Sequence, residues 1–445
     1  MIVSLPDMLD ARERRAERQR ALLTQYGRPM ICFTMNIAGP EKDSPLIRRG
    51  FAIGLRDLEQ LLEVERIRCL HRERIQAFTG SEAILVLDGA PSRLKAITEQ
   101  LEEASSLGRL YDMDVLDPAG EKLQRAEPRK CLICGGTAQA CARSRTHSVP
   151  ELQERTAQIL TDAVLGEDRG FVARLAQQAL LYEVAVTPKP GLVDRQNNGS
   201  HRDMDFFTFQ RSALVLGEYF ERCFCLGFET RNLPPEETFL RLRFPGKQAE
   251  GRMLAATGGV NTHKGAIFSL GILCGALGRL ERALWKCPER ILALCAAMTQ
   301  GLVQGDLSCI LPERDRTVGE ELYLRYGITG VRGQAAAGFP EVLGIGLPKL
   351  EEGLSRGLDL NASACAALLA LIAGTVDTNL IHRGGLECQR ETAREMEALL
   401  QEQPFPDSKT LEELNDRFVK QNLSPGGCAD LLAMTLLLHF LKEES

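Results

Sequence analysis

The periodicity of the apolar residues changes at about residue 167, and this change limits the folds open to the chain. Before that point, charged helical stretches alternate with short apolar or β-branched runs, a pattern typical of strands packed between helices. From Asp168 onward, apolar residues recur at helical spacing, and glycine-rich polar loops separate the helical stretches. The 445 residues are enough for two to three domains. We therefore predict an α/β or α+β domain over 1–167 and an all-α domain over 168–445, with the chemistry of the second in its loops.

Spacing and turn residues also predict the individual elements. In 1–167 they indicate helices over 7–26, 57–78 and 92–104 and strands over 30–37, 82–87 and 110–116. In 168–445 they indicate helices over 171–186, 206–225, 265–284, 289–303, 362–376 and 429–441.

Composition narrows the class of protein. Hydrophobic residues make up 44% and charged residues 26%, which is ordinary for a soluble globular protein. A net charge of -6 disfavours nucleic acid as the main partner, because neutralising phosphates requires a cationic face. The longest apolar stretches are too short to span a membrane, and the first residues lack the pattern of a secretory signal. The 14 cysteines are too sparse for a disulfide scaffold, so we expect reduced thiols and a cytoplasmic protein without a membrane or nucleic-acid partner.

In the first domain, Asp112 and Asp114 lie two residues apart on the predicted strand 110–116, where alternation directs both to one face. Together they could bind Mg²⁺, which nucleotidyl transfer uses to neutralise a polyphosphate; alternatively, both are merely solvated. Arginines outnumber lysines by 20 to 4 in 1–167, and the arginine fork suits phosphate oxygens. The arginines considered for phosphate binding, each of which could instead be a surface charge, are Arg48, Arg49, Arg109, Arg129 and Arg143.

A cysteine and histidine cluster follows this strand. Cys131 and Cys134 have two residues between them, and Cys141 and His147 follow after six and five further residues. These side chains are of the types that bind Zn²⁺, but the second pair is spaced loosely. We expect reduced structural cysteines here rather than zinc.

In the second domain, two loops carry candidate site residues. Lys189 lies between two prolines that limit its reach, in a turn that would not require lysine for structural reasons. Asp205 suits the N-cap of the predicted helix that follows it, which leaves Asp203 free to bind a metal ion or act as a base.

The segment GGVNTHKG opens a predicted helix, where free N–H groups and the charge of Lys264 favour an anion. His263 lies at the start of this helix. The helix dipole should lower its pKa and keep it neutral, so that it could accept a proton; alternatively, it serves only as a hydrogen-bonding residue.

Three more loops join glycine to Asp, Asn or Arg at helix ends. They are ITGVRG with Arg332, the DTN and RGG segments with Asp377, Asn379 and Arg383, and NLSPGGCAD with Asp430. One such loop would be a cap, whereas five on one helical domain indicate a shared polar cleft for a phosphorylated ligand.

Whole motifs in both domains follow known families. The segment 169–441 resembles triphosphoribosyl-dephospho-coenzyme A synthase, through TPKPGLVDRQNNGSHRDMDFF, GGVNTHKGA, ITGVRGQAAAGFP, DTNLIHRGG and NLSPGGCADLLA in that order. The segment 25–160 resembles apo-citrate lyase phosphoribosyl-dephospho-coenzyme A transferase, also called holo-citrate lyase synthase, through MNIAGPEKDSP, GRLYDMDV and RKCLICGGTAQACARSRTH. The chain is thus similar to a fusion of two enzymes that act in sequence.

The resemblance implies a bifunctional transferase with ATP and dephospho-CoA as substrates and Mg²⁺ as cofactor. The second domain would displace adenine from ATP and join the ribose to dephospho-CoA. In it, Asp203 or Asp430 would act near Mg²⁺, His263 would handle protons, and Lys189, Lys264 and Arg383 would contact the triphosphate.

The first domain, nucleotidyltransferase-like, would pass the product to a serine of the citrate lyase acyl carrier subunit and expel pyrophosphate. Asp112 and Asp114 would act there with Mg²⁺. The resemblance also implies that Arg129, Arg143 and His147 bind phosphate rather than zinc.

Two other functions fit the same residues. The helical half could be an N-glycosidase that releases adenine from ATP to water, joined to a first half that only docks the carrier protein. The malonate decarboxylase system uses similar enzymes, so the identity of the carrier follows from the resemblance alone.

Overall fold

A computed structural model describes residues 2–125, 127–307 and 316–444 of the chain. The chain divides into two compact units, Met1–Glu167 (unit 1) and Asp168–Ser445 (unit 2). Unit 1 mixes helices with a small antiparallel sheet, and the described part of unit 2 is helical without a strand. The coarse fold prediction is thereby confirmed.

The sheet of unit 1 has four strands in the order β2-β3-β1-β4 within the described residues, and every neighbouring pair is antiparallel. The strands are β1 (Met30–Met35), β2 (Arg68–Ala77), β3 (Gly80–Asp88) and β4 (Tyr111–Leu116). The helices are α1 (Leu5–Tyr26), α2 (Pro45–Val64), α3 (Pro91–Ala104) and the short α4 (Ala138–Ser144).

The two faces of the sheet are covered by different helices, because alternate residues of a strand point to opposite sides. On one face, Ile31 and Phe33 of β1 join a core that includes Phe51 of α2. On the opposite face, Met30 and Cys32 pack with residues of α1. We call this second side the α1 face.

One predicted element of unit 1 was wrong. The helix predicted over 57–78 is two elements, since α2 ends at Val64 and β2 begins at Arg68. Arg66 adopts a left-handed conformation (φ 54°), which interrupts the helix. β2 is an edge strand with no buried residue, so its charged sequence shows no apolar alternation that would have indicated a strand.

Unit 2 is built from helices throughout its described residues. After the long α5 (Val149–Ala185) come α6 (Phe206–Leu214), α7 (Gly217–Glu229), α8 (Pro235–Thr257), α9 (Lys264–Arg279), α10 (Pro288–Met298), α11 (Leu302–Leu307), α12 (Val318–Tyr326), α13 (Gly330–Ala336), α14 (Leu347–Ser355), α15 (Leu360–Gly374), α16 (Thr378–Glu402), α17 (Ser408–Lys420) and α18 (Gly426–Glu444). A π-helical turn, Val342–Gly346, leads into α14.

The core of unit 2 consists of helices that are buried on nearly every side. α9, α15 and α18 are apolar around their whole circumference, and most of their residues are buried. Small residues allow close packing: a Cβ atom at Gly227 of α7 would lie 2.0 Å from the carbonyl oxygen of Gly275 of α9. This contact brings two backbones together at the centre of the unit.

The single helix predicted over 206–225 was also wrong, because α6 and α7 are separate. The side-chain amide of Gln177 donates hydrogen bonds to the carbonyl oxygens of Ala213 (3.1 Å) and Leu214 (3.2 Å), which satisfies the end of α6. A Cβ at Gly217 would lie 2.8 Å from the same amide, so glycine leaves room for this cap. Apolar spacing continues across the break and gave no sign of it.

No single helix among the described residues is long and apolar enough to cross a membrane. One pair, Leu360–Gly374 with Thr378–Glu402, meets the length and composition criteria only when taken together, across a bend of 55°.

The contact between α7 and α9 gives a stability prediction. Gly227→Ala should lower the free energy of unfolding by about 1–3 kcal/mol, because the added methyl collides with backbone that cannot move aside. Gly251→Ala in α8 is the matched control: nothing lies within 4 Å of its Cβ, and the substitution should stabilise by about 0.5–1 kcal/mol. Urea unfolding of both variants measures the difference, and equal free energies for the two would contradict the assigned packing.

Candidate functional site

Unit 2 contains a cavity of about 470 Å³ whose wall comes from loops far apart in sequence. We call it the unit 2 cavity. Of the residues predicted for this site, it brings together Lys189, His263, Lys264, Arg332, Asp377, Asn379, Arg383 and Asp430. Asp203 does not line it and is exposed, although its neighbours His201 and Met204 do. The shared cleft predicted from the loops therefore contains every proposed unit 2 residue except Asp203.

Helix beginnings converge on this cavity. Among the described residues, five helices start at residues of its wall: α9 at Lys264, α12 at Val318, α13 at Gly330, α16 at Thr378 and α18 at Gly426. The helix dipole makes each of these ends favourable for an anion, although protein side chains already accept some of the N–H groups at the starts of α9, α12, α16 and α18. Their convergence gives the wall a positive electrostatic character that does not depend on side-chain charge.

Three carboxylates lie among these helix ends, and one of them already has protein partners for both its oxygens. Asp377 is 1% exposed, and it accepts hydrogen bonds from the N–H groups of Asn379 (2.7 Å), Leu380 (3.1 Å) and Cys428 (2.9 Å). Burial raises the pKa of Asp377 in spite of these bonds. Its carboxylate caps α16 and ties it to the start of α18, and its contact with phosphate stays a prediction.

Lys189 and Glu183 form a buried ion pair at the cavity wall. The Lys189 ammonium donates to the Glu183 carboxylate and, at 2.7 Å, to the Glu183 carbonyl oxygen. Burial raises the pKa of Glu183 although the lysine charge opposes the shift. Lys189 therefore contributes its charge from a fixed position. Sequence reasoning missed Glu183, because a glutamate inside a long helix looks like an ordinary surface residue.

Asp430 faces the cavity from α18. Burial, followed by the charges of Glu183 and Asp377, raises the pKa of Asp430 well above its ordinary value, and the N–H of Ala266 opposes this shift. A Cβ at Gly265 would lie only 1.9 Å from Asp430 Oδ2, so glycine is required for the carboxylate to reach the start of α9. Asp430 is thus a proton-binding carboxylate held against a helix N-terminus.

His263 is 3% exposed and neutral. Its pKa falls to about 3, first because of burial and second because of the charge of Lys189; the sequence analysis had named the helix dipole as the cause. Nδ1 lies 2.6 Å from the hydroxyl of Ser212, and Nε2 is buried without a hydrogen-bond partner among the described residues. An unsatisfied ring nitrogen beside a cavity is available to a ligand.

Three of the remaining predicted side chains, those of Arg383, Lys264 and Arg332, have protein partners. Arg383 donates to the carbonyl oxygen of Ser200 (3.0 Å) and to the Asn422 side chain (3.0 Å), so it braces the loop before α18. Lys264 pairs with Glu250 at 3.3 Å, and Arg332 contacts Asp306 at 3.3 Å.

In unit 1, Asp112 and Asp114 share the α1 face of β4, as alternation predicted, because Tyr111, Met113 and Val115 belong to the opposite core. Their surroundings differ. Asp112 lies opposite Thr34 of β1 and lines a cavity of about 150 Å³, the unit 1 cavity. Asp114 pairs with Lys122 at 2.7 Å and is not part of that wall.

The cationic groups of the unit 1 cavity are Arg12, Arg15 and Lys42, none of which sequence analysis had selected. Arg15 donates to Glu82 at 2.5 Å. Burial lowers the pKa of Lys42, with a smaller contribution from the charge of Arg12. Arg12 and Arg15 lie in α1, whose many charged residues gave no reason to select these two.

The arginines predicted for phosphate binding are not gathered at this cavity. Arg48 pairs with Asp43 (2.5 Å), and Arg49 lies 3.5 Å from Glu167. Arg109 and Arg129 line a separate cavity of about 280 Å³, and Arg143 is exposed on α4.

Arg129 has several partners of its own. It donates to the Tyr111 carbonyl oxygen (2.7 Å) and to the buried Glu102 (2.5 Å), and it lies 3.5 Å from Asp112. Arg129 is therefore a bracing residue beside the cavity carboxylate.

The structure also gathers the cysteine and histidine cluster. The ligand atoms of Cys131, Cys134, Cys141 and His147 all lie within 4.8 Å of one another, which the loose spacing of the second pair had not led us to expect.

Comparison with known proteins assigns both units. The profile of CitG, ATP:dephospho-CoA triphosphoribosyl transferase, matches residues 169–445, and that of CitX, apo-citrate lyase phosphoribosyl-dephospho-CoA transferase, matches residues 3–163. Protein CitXG of Haemophilus influenzae is 36% identical over 98% of this chain and 95% of its own length. Protein CitXG of Leuconostoc mesenteroides subsp. cremoris is 34% identical over 98% of this chain and 97% of its own length. The probable 2-(5''-triphosphoribosyl)-3'-dephosphocoenzyme-A synthase of Streptococcus mutans is 39% identical over 62% of this chain and 98% of its own length.

The two matched profiles define the chain as a bifunctional transferase of citrate lyase prosthetic-group synthesis. A CitX part precedes a CitG part, and relatives of the same layout match over nearly their whole length. The chain belongs to the CitXG family.

The electrostatics of Asp430 give a prediction about stability. A raised folded-state pKa means that the folded chain binds more protons than the unfolded one, so stability should fall as pH rises from the ordinary aspartate value through the raised value. Asp430→Asn should therefore stabilise the protein near neutral pH, by about 0.5–2 kcal/mol, and flatten this decline. Asp203→Asn at an exposed position should change neither. Urea titrations at several pH values measure both effects; an Asp430→Asn variant less stable than wild type at pH 8 would refute the assignment.

Proposed function

We propose that unit 2 makes triphosphoribosyl-dephospho-CoA from ATP and dephospho-CoA with release of adenine, and that unit 1 transfers the phosphoribosyl-dephospho-CoA to a serine of the citrate lyase acyl carrier subunit. The observation that carries the proposal is the unit 2 cavity, in which five described helix beginnings meet two buried carboxylates, Glu183 and Asp377, and the half-buried Asp430. ATP and dephospho-CoA are made and used inside cells, so we place the protein in the cytoplasm.

The helix beginnings suit the triphosphate of ATP. N–H groups at the starts of α9, α13 and α18 can donate hydrogen bonds to phosphate oxygens, and they are uncharged donors that do not titrate. Lys264 and Arg332 line the same wall and are partly exposed, so they can exchange Glu250 and Asp306 for phosphate. Lys189 also lines this wall, where its ion pair with Glu183 fixes the position of its ammonium group.

The reaction replaces one glycosidic bond by another. The bond between the anomeric carbon and the adenine nitrogen breaks, and a ribose hydroxyl of dephospho-CoA forms the new bond to that carbon. The hydroxyl must lose a proton to a base, and Asp430 suits this role because its raised pKa makes its carboxylate a stronger base than an ordinary aspartate. Asp203 drops out of the assignment, since it is exposed and away from the cavity wall.

His263 is placed to donate a hydrogen bond to the departing adenine, whose proton then comes from water. The hydroxyl of Thr262 donates to Ser212 (2.8 Å), which leaves the Ser212 hydrogen for His263 Nδ1. The proton of this neutral ring then lies on Nε2, the nitrogen without a partner among the described residues. A neutral imidazole donor stabilises the negative charge that develops on the leaving base.

The donor set of the unit 2 cavity fits Mg²⁺. Asp377 is committed to backbone N–H groups and Glu183 to Lys189, whereas Asp430 has an oxygen for a hard cation besides the one that accepts a proton. The ion would neutralise triphosphate charge when bound.

Adenine release tests these roles. Asp430→Asn should lower kcat/KM by about 10²–10⁴-fold, because it removes the base while preserving shape. Asp203→Asn is the matched control and should stay within about threefold of wild type, since its carboxylate lies outside the cavity. Chromatographic measurement of adenine from ATP and dephospho-CoA gives the values; wild-type rates in Asp430→Asn would remove the residue from the mechanism, and the same result in His263→Ala would remove the histidine.

The N-glycosidase alternative predicts that adenine appears from ATP alone. Our proposal predicts that release requires dephospho-CoA and that each adenine formed is matched by one new nucleotide product. Omitting dephospho-CoA from the same assay separates the two.

In unit 1 the proposed chemistry is nucleotidyl transfer. The carrier serine oxygen attacks the innermost phosphorus of the triphosphate, the bond to the next bridging oxygen breaks, and pyrophosphate leaves. Asp112, with Asp114 on the same face, would hold Mg²⁺, and Arg12 and Lys42 would face the departing pyrophosphate. Carboxylate oxygens on one strand face are a donor set that fits this ion.

Carrier modification tests this assignment. Asp112→Asn should reduce transfer at saturating Mg²⁺ by at least about 100-fold, since it removes a charged ligand from the reacting phosphate, while adenine release stays normal. Asp10→Asn, an exposed carboxylate on α1, is the control. Mass spectrometry of the carrier together with pyrophosphate release provides the readout. Full transfer by Asp112→Asn would remove Asp112 from the mechanism, whereas no transfer by the wild type would favour the alternative in which unit 1 only docks the carrier.

A further inference from the structure

A compact turn in unit 1 holds the first two cysteines of the cluster together. The N–H of Cys131 donates to the carbonyl oxygen of Gly136 (2.5 Å), and the bridge between Lys130 and Thr137 closes the turn. Gly135 has a left-handed backbone (φ 71°), which a reversal this tight requires. Cys131 and Cys134 are thereby presented from one loop, as in the C-x₂-C half of many zinc sites.

A short helix supplies the other two side chains. Cys141 lies in α4, and the helix is closed by Arg145 in a left-handed conformation (φ 49°) and by a bond from the Thr146 N–H to the Cys141 carbonyl oxygen (3.1 Å). The chain then turns back and places His147 against the cysteines. The loose spacing in sequence is thus taken up by a helical turn and its cap.

The distances match a tetrahedral ion. Bonds of about 2.3 Å to sulfur put the corners of a tetrahedron about 3.8 Å apart. The four ligand atoms all lie within 4.8 Å of one another, and the sulfur atoms of Cys134 and Cys141 are 3.4 Å apart. His147 Nε2 is buried and has no hydrogen-bond partner among the described residues, so the cluster contains an unsatisfied ligand atom.

We propose that Cys131, Cys134, Cys141 and His147 bind one Zn²⁺ ion in a structural site. Three thiolates and one imidazole are soft and borderline ligands, which favour Zn²⁺ over the hard Mg²⁺ of the reaction. Four protein ligands fill the coordination sphere, so the ion has no open position for substrate.

The site would stabilise the neighbourhood of Asp112. Arg109 donates to the carbonyl oxygens of Lys130 (2.7 Å) and Cys131 (3.0 Å), at the root of the metal-binding turn. The adjacent Arg129 donates to the Tyr111 carbonyl oxygen (2.7 Å) and lies 3.5 Å from Asp112. Without its ion, the segment would no longer hold Arg109 and Arg129 in place. The zinc site would therefore help to position Asp112 and would take no part in the reaction itself.

Metal analysis of the full-length protein tests the proposal directly. Protein purified without chelator should contain one zinc ion per chain by mass spectrometry of the metal, and the double variant Cys134→Ser with Cys141→Ser should contain almost none. Cys69→Ser, an exposed cysteine of β2 outside the cluster, should keep the full content. Exchange of zinc for Co²⁺ should produce the thiolate-to-cobalt charge-transfer band of three sulfur ligands in wild type and Cys69→Ser alone.

Adenine release by unit 2 shows whether the double variant is folded there, and circular dichroism reports on unit 1. Wild-type protein from zinc-supplemented culture that holds no more zinc than the double variant would overturn the proposal. So would a disulfide between Cys134 and Cys141 found in freshly purified wild type, since it would make these thiols a redox pair. The metal content is independent of both proposed reactions, so failure here leaves them intact.

Discussion

The burial of negative charge among helix N-termini is the constraint on which the structure of unit 2 depends. Carboxylates in a protein interior are costly unless charge or hydrogen bonds compensate them. Here Asp377 is compensated by three N–H groups, Glu183 by Lys189, and Asp430 by the start of α9. Asp430 is compensated least, and it is the carboxylate that faces the cavity.

The same constraint explains the glycines of the cavity wall. Glycine at 265 lets Asp430 approach the backbone of α9, and a Cβ at Gly427 would lie 3.0 Å from Asp377. A larger side chain would push each carboxylate away from the N–H groups that compensate it. The motifs GGVNTHKGA and NLSPGGCADLLA therefore combine a charge with the space that the charge needs.

The sequence predicts the position of a residue only where a local pattern, such as strand alternation or loop composition, indicates it. Alternation was enough to put Asp112 and Asp114 on one face, and loop chemistry identified most of the unit 2 cavity. No local pattern indicates Glu183 or Lys42, because tertiary packing alone places them at the cavity walls. Asp203 shares a loop with the lining residues His201 and Met204 but is itself exposed, and the loop sequence does not distinguish the two cases. β2 was missed because the half-buried side of this edge strand includes charged residues such as Glu73, so its sequence has no apolar period.

The positive character of the unit 2 cavity comes largely from peptide groups. Peptide groups do not gain or lose protons near neutral pH, whereas Asp430 is a titratable carboxyl group whose pKa is raised. In the proposed mechanism, acidity should therefore alter the rate of glycosyl exchange, through Asp430, more than the affinity for the triphosphate, which the main chain would bind.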